Sequence, residues 1–257
     1  MIAALGFDSS VPFTTELLQQ AQAKYGKVYW VGRYLGTGGG AAVPLTTSEV
    51  SLIMDAGIGL LPIFNDSVID GGTVGTYAIG KQDSATAVSQ AESLGIPANV
   101  YLAVDVEYSA NVSGAWHEGW ADGMRPTNYA GAGIEYCAPL SPHFMASIQA
   151  ANAGNNPNVK RLLFWSATPE PGLAPGATAP PYTPDVPSGF PPSSVVAWQL
   201  REGALGDKID LDLCNPAMLQ TQSLGQFMLP PGGVKFPKTV DADLVSQAIA
   251  ILRKAIE

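Results

Sequence analysis

The chain reads as an α/β protein: a closed TIM-type barrel of five β/α units followed by three strands, plus a C-terminal helix. Three observations predict this. Short apolar runs alternate five times with segments of helical period, and repeated β-then-α order implies parallel strands joined by right-handed crossovers. Three further apolar runs bring the strand count to eight, the number a closed barrel needs. An open doubly wound sheet is the rival, but it usually carries a glycine fingerprint just after its first strand. Here residues 7–12 read F-D-S-S-V-P in that place.

The elements follow in order. Residues 2–7 form an apolar run ending at Asp8. Residues 14–25 place Leu17, Leu18, Ala21 and Tyr25 on one helical side. A second strand is expected at 28–35. Thr46-Thr-Ser-Glu49 has the pattern of a capping box and opens a helix that stops at Gly57. Strand three covers 58–64, helix three 83–94, strand four 100–106 and helix four 115–124. Strand five covers 129–137 and helix five 142–153. The rhythm then changes: 162–167, 195–200 and 209–213 look like strands with no convincing helix between them. Residues 168–192 hold nine of the 21 prolines, too many for a helix or a central strand. They read either as a linker or as a long loop within one barrel. The loop is preferred, because Trp198 and Asp210 beyond it complete the same candidate site. The barrel is therefore bounded at 1–225, and 226–257 is read as a linker with an amphipathic helix at about 241–256. Val245, Ala248, Ile249, Leu252 and Ile256 share one face of that helix. The face either packs on its own domain or contacts a protein partner.

Composition excludes several classes of function. A formal charge of −9 and only 13 Lys and Arg do not make the basic surface that nucleic acid requires. No run approaches the ~18 apolar residues of a membrane span. Two histidines, His117 and His143, do not suggest a multi-histidine zinc site. The G-x-G-x-x-A-like stretch at 36–41 is followed by Pro44 and no Walker lysine, so it is not read as a phosphate loop. No cofactor and no metal are expected. Cys137 and Cys214 are far apart in sequence, and their redox state is open. The N-terminus shows no basic region and no apolar stretch long enough for a signal peptide. The expectation is synthesis in the cytoplasm followed by release or delivery, or action outside the cell after trimming.

Residues 101–107, Y-L-A-V-D-V-E, carry the clearest chemical signal. Asp105 and Glu107 are two apart, so on a strand they point the same way, with Cα atoms roughly 6.5–7 Å apart. Paired carboxyl groups at about 5–9.5 Å are the equipment of glycoside hydrolysis. Barrel active sites lie at the C-terminal strand ends. Asp8 ends the first strand, Asp105 and Glu107 end the fourth, and Asp210 and Asp212 lie in the eighth, beside the first. Four catalytic candidates follow: Glu107 as the proton donor, Asp105 to orient the substrate or support the transition state, and Asp8 and Asp210 to hold charge or position water. Crowded or buried carboxyls keep a proton near neutral pH. Aromatic rings suit the flat faces of sugars. Tyr34, Tyr77, Tyr108, Trp165 and Trp198 near strand ends, with Gln199, are the substrate-binding candidates. Arg33 joins them as a possible partner of the acids.

These segments resemble a family of glycoside-hydrolase-like TIM barrels first catalogued as domain of unknown function 1906. The resemblance rests on G-F-D-S-S at 6–10, W-V-G-R-Y-L at 30–35, G-I-G-L-L-P-I-F at 57–64, the D-x-E strand, A-W-Q-L at 197–200 and I-D-L-D at 209–212. More distantly, the chain is similar to the lysozymes of glycoside hydrolase family 25. Asp8 matches their early Asp, Asp105 and Glu107 their D-x-E, and Trp198-Gln199 with Asp210 their late W-Q and V-D-L-N. Asp212 stands where those lysozymes have Asn. The resemblance implies a barrel of five β/α units plus three strands. It also implies a muramidase acting on the β-1,4 bond between N-acetylmuramic acid and N-acetylglucosamine of peptidoglycan. The alternative expectation is a catalytically inactive glycan-binding or scaffold barrel of a phage tail or injection-type assembly.

Overall fold

The structure is a computed structural model that describes residues 3–71, 73–106, 111–127, 129, 133–219 and 227–235. The expected C-terminal helix lies outside the described residues.

Eight strands close into one barrel in sequence order. They are β1 (Ala4–Ser9), β2 (Trp30–Tyr34), β3 (Gly59–Phe64), β4 (Ala103–Val106), β5 (Ile134–Cys137), β6 (Leu163–Ala167), β7 (Val195–Gly203) and β8 (Ile209–Cys214). Helices α1 (Thr15–Tyr25), α2 (Thr47–Asp55), α3 (Tyr77–Ser93), α4 (Gly114–Met124) and α5 (Pro142–Ala153) follow the first five strands. A single turn, Ala204–Asp207, joins β7 to β8. Neighbours from β1 to β7 pair in parallel, but β8 runs antiparallel to both β7 and β1. This departs from an all-parallel barrel. The reason is connection length: a parallel crossover needs about a dozen residues or more, and the link from β7 to β8 is far shorter.

Strand alternation sorts the side chains into two cores. Ala4, Trp30, Tyr34, Leu61, Ile63, Ala103, Ile134, Tyr136, Trp165, Ala197 and Cys214 fill the barrel. Leu5, Phe7, Val31, Leu60, Phe64, Val104, Phe164, Trp198, Leu200 and Leu211 face outward beneath the helices. The helices start on good caps: Thr14, Thr46, Thr76 and Ser113 each accept the backbone N–H three residues on, worth about 1 kcal/mol apiece. The capping box expected at Thr46 is half formed. Glu49 turns away from the helix end and accepts the Phe13 N–H at 2.7 Å. Outside the barrel, His117 of α4 bridges Glu135 of β5 (2.9 Å) and Ser147 of α5 (3.0 Å), all three buried. Cys137 and Cys214 are buried free thiols.

The proline-rich segment lies across the outer face of the barrel. Tyr182 Oη donates to the Val195 carbonyl (3.0 Å), Gly176 N–H to the Lys24 carbonyl (2.8 Å) and Arg201 to the Leu173 carbonyl (2.6 Å). Phe190 packs edge-on against Phe164, centroids 4.7 Å apart. At the opposite end from the acids, Met228 exchanges backbone hydrogen bonds with Leu60, and Phe227 meets Trp30 edge-on at 5.0 Å.

The G-x-D start of β1 has a packing cause. A Cβ on Gly6 would sit 2.3 Å from the ring of Trp30, which is fully buried and donates its indole N–H to the Ala4 carbonyl at 3.2 Å. Gly6→Ala is therefore expected to cost about 1–3 kcal/mol through overpacking. Thermal unfolding should show a midpoint lower by roughly 3–10 °C; an unchanged midpoint would refute this account of Gly6.

Candidate active site

Three carboxyl groups meet through the β1–β8 seam. Asp8 lies opposite Asp210 and Gly6 opposite Asp212. Because β8 is antiparallel, Asp210 sits near its N-terminal end yet reaches the mouth where β1 finishes. Asp210 thus arrives from the N-terminal end of β8, not from a C-terminal strand end. Asp105 approaches from β4. It lies beside Tyr136 of β5 in register, and its charge acts on Asp8.

Asp8 is only 2% exposed. Tyr34 Oη donates toward one of its oxygens (3.5 Å) and Tyr136 Oη toward the other (3.4 Å). Gln199 Nε2 in turn donates to Tyr136 Oη. Asp212, fully buried, accepts the Trp165 indole N–H at 2.9 Å. Its other oxygen has no hydrogen-bond partner among the described residues. Trp165 stacks on Tyr136 with centroids 4.5 Å apart. Gly32 keeps this layer closed: a Cβ there would fall 2.6 Å from Trp165 and 2.9 Å from the Asp8 side chain. The Gly203 N–H donates to Asp210 at 2.7 Å.

Burial and mutual repulsion push these acids upward. Asp8 is raised well above the ordinary carboxylate value, first by burial and then by Asp210 and Asp105; hydrogen bonds from Tyr136 and Gln199 oppose the rise. Asp212 is also raised well above that value by burial, then by Asp8 and Asp210, against the Trp165 indole and the Asp8 backbone N–H. Asp210 is raised by burial, which the Gly203 N–H partly offsets. The cluster therefore titrates as a coupled set that retains protons after exposed carboxyls have lost theirs.

A stability consequence follows. Between the ordinary carboxylate value of 3.8 and the raised folded values, the folded state binds more protons than the unfolded chain. Stability is then full at the acid side of that window and falls as pH rises through it, by up to about 1.4 kcal/mol per pH unit per proton. Asp212→Asn, which cannot ionise, is expected to flatten this fall. Denaturant unfolding measured as pH rises from the ordinary carboxylate value checks it; equal pH dependence for wild type and variant would contradict the assignment.

The remaining candidates divide clearly. Tyr34 and Gln199 line the acid cluster. Trp165 is in the site but fully buried; it holds Asp212 rather than presenting an open face to sugar. Arg33 is on the outer side of β2. It pairs with Glu49 (2.5 Å) and donates to the carbonyls of Ser9 and Val43, fastening the end of β1 to α2. Trp198 also faces outward, giving its indole N–H to the Thr168 carbonyl at 2.9 Å and meeting Tyr182 edge-on. Tyr77, 40% exposed, starts α3 and donates to Asp122 of α4 at 3.0 Å. Arg33 and Trp198 are corrected to structural positions on the outer face of the barrel, and Tyr77 stands outside the lumen at the start of α3. Glu107 and Tyr108 lie outside the described residues. Two side chains of the cluster were not among the site candidates, Tyr136 and Asp212. Both were findable from strand parity: Tyr136 shares a face with Ile134, and Asp212 shares one with Asp210. Among the described residues no group of three or more His, Cys, Asp or Glu side chains is arranged to hold a metal ion.

Comparison with known proteins adds to this geometry. The model of the Rv2525c-like, glycoside hydrolase-like domain matches residues 22–172, more than half of the chain. An uncharacterised protein of B. stearothermophilus, solved as a crystal structure, is 30% identical. The match covers 83% of this chain and 97% of that one, with a TM-score of 0.75. The Tat-secreted protein Rv2525c of Mycobacterium tuberculosis, crystallised with L-tartrate, is 13% identical over 83% of this chain and 97% of that one, TM-score 0.52. A family 25 glycosyl hydrolase from Bacillus anthracis is 12% identical over 82% of this chain and 88% of that one, TM-score 0.40. No curated protein sequence matches. Among the described residues no helix is long and apolar enough to cross a membrane.

Proposed function

The chain belongs to the family of Rv2525c-like, glycoside hydrolase-like domains, and we propose that its acid-lined mouth cleaves peptidoglycan glycan in the manner of a muramidase. The observation that carries this reading is the meeting of Asp8, Asp210 and Asp212 across one strand seam, with the charge of Asp105 acting on Asp8. Glycosidic cleavage needs a proton for the leaving oxygen and negative charge beside the oxocarbenium-like centre. Glu107 is the proposed donor, from its spacing two residues beyond Asp105. Asp105 is the proposed orienting group on the same strand. Asp8 is the group whose protonation governs its neighbours. A proton kept on Asp8 or Asp212 limits the charge around the donor, while the hydrogen bond from Tyr136, itself held by Gln199, favours the ionised form of Asp8. Asp210 holds the outer edge of the cluster, braced by Gly203. The proposed chemistry uses side-chain carboxyls alone.

Mass spectrometry of fragments released from purified wall tests the reading. Fragments with a reducing N-acetylmuramic acid end are expected. Fragments ending in reducing N-acetylglucosamine would move the cut to the other bond. Wall that binds the protein and releases nothing would replace the hydrolase with a glycan-binding barrel.

A further inference from the structure

A hollow of about 300 Å³ opens beside the acid-lined mouth, against α1. Its apolar part is made by Val11, Pro12 and Leu17; Glu16 and Gln20 of α1 and Lys208 supply the polar part. The hollow is tied to the cluster. Ser9, the residue after Asp8, donates its hydroxyl to the Lys208 carbonyl at 2.7 Å and lies 3.0 Å from the Val11 carbonyl. Lys208 closes the turn before β8 and stands two residues before Asp210.

Two further features mark the Lys208 side. The turn leading into it holds Leu205 (φ 54°) and Asp207 (φ 60°) in the left-handed region, with Gly203 and Gly206. Two non-glycine residues in that region are costly and persist only where surrounding structure imposes them, often at functional sites. Lys208 also forms no ion pair among the described residues, and its ammonium is exposed. Across the hollow, one oxygen of Glu16 accepts from Gln20 at 3.0 Å. The hollow therefore offers an anionic and a cationic contact, set apart, over an apolar floor.

That pattern selects a ligand class. A neutral sugar chain uses neither charge. A purely anionic polymer meets a chain whose formal charge is −9 and is repelled. A short zwitterionic peptide uses everything present: its carboxylate for Lys208, its ammonium for Glu16, and its small apolar side chains for Val11, Pro12 and Leu17. We propose that this hollow is a subsite for a zwitterionic peptide substituent carried by the glycan seated at the acid cluster. The inference deepens the muramidase reading and rests on it for the identity of the glycan.

Affinity tests it without requiring turnover. Calorimetric titration would compare glycan oligomers of one length, bare and bearing a short peptide with a free amine and carboxylate. Wild type is expected to bind the peptide-bearing oligomer at least tenfold more tightly. Lys208→Glu is expected to bring the two affinities within about twofold, and Glu16→Lys to reduce the preference likewise. Equal affinities for wild type, or a full preference in Lys208→Glu, would overturn the subsite. A charge-sensitive preference with neither oligomer cleaved keeps the subsite and removes the hydrolase. Cleavage of both with equal affinity does the reverse.

Discussion

Glu107→Gln is expected to lower the rate of wall cleavage by roughly 10²–10⁴-fold, the range a positioned general acid contributes. Gln keeps the size of the side chain and removes its proton donor. The leaving oxygen must then depart as an alkoxide or draw its proton from water. Wall binding should survive, because the affinity for the glycan comes from the whole mouth. Reducing-end release measured at the pH optimum, with a wall-pelleting assay in parallel, separates the two effects. A rate within tenfold of wild type would remove Glu107 as the donor. Asp105→Asn gives a useful contrast: its proposed role is orientation, so a smaller loss is expected than for Glu107→Gln.

Arg33→Met is expected to destabilise the fold by about 3–5 kcal/mol, the usual cost of stripping one partner from a buried ion pair. Arg33 is fully buried, and Glu49 is nearly so. Removal leaves Glu49 charged in the protein interior, and the Ser9 and Val43 carbonyls lose a donor. The Ser9 carbonyl directly follows Asp8, so the loss also loosens the strand end that carries the cluster. The double variant Arg33→Met/Glu49→Leu should recover part of this loss, because paired ions replaced by apolar side chains are often near neutral in effect. Chemical denaturation of both single variants and the double variant closes the cycle. Strict additivity would show that the two side chains do not act as a pair.

Much of this barrel was legible from the chain. The alternation of apolar runs with helical segments located the first five strands, bare apolar runs located the last three, and the helix starts at Thr14 and Thr46 fall where the caps do. Asp8 and Asp105 were singled out because each sits at the end of an apolar run, and Asp210 because it lies in the eighth strand, beside the first. The orientation of β8 was not read, although the shortness of its link to β7 carried the information. Site membership failed where strand parity was ignored. Tyr34 and Arg33 are neighbours on one strand, as are Trp198 and Gln199; alternation allows only one of each pair to face the lumen. Tyr34 and Gln199 do, while Arg33 and Trp198 anchor the outer face. Tyr136 escaped because a tyrosine inside an apolar strand reads as packing. Its role depends on Asp8 and Gln199, which reach it from distant sequence. Trp165 matched the aromatic pattern of sugar sites, but its burial against Tyr136 and Asp212 is a tertiary property.

The claim beneath the rest is that burial and crowding hold protons on the β1–β8 carboxyls where exposed acids have none. Carbon-13 NMR of the aspartate side-chain carboxyls, assigned by Asp8→Asn and Asp212→Asn and followed from pH 3 to pH 9, measures this directly. The account predicts that resonances from Asp8 and Asp212 still report protonated, mutually dependent groups after those of the exposed carboxyls have moved to the ionised form. Independent titration of both near the ordinary aspartate value would contradict it.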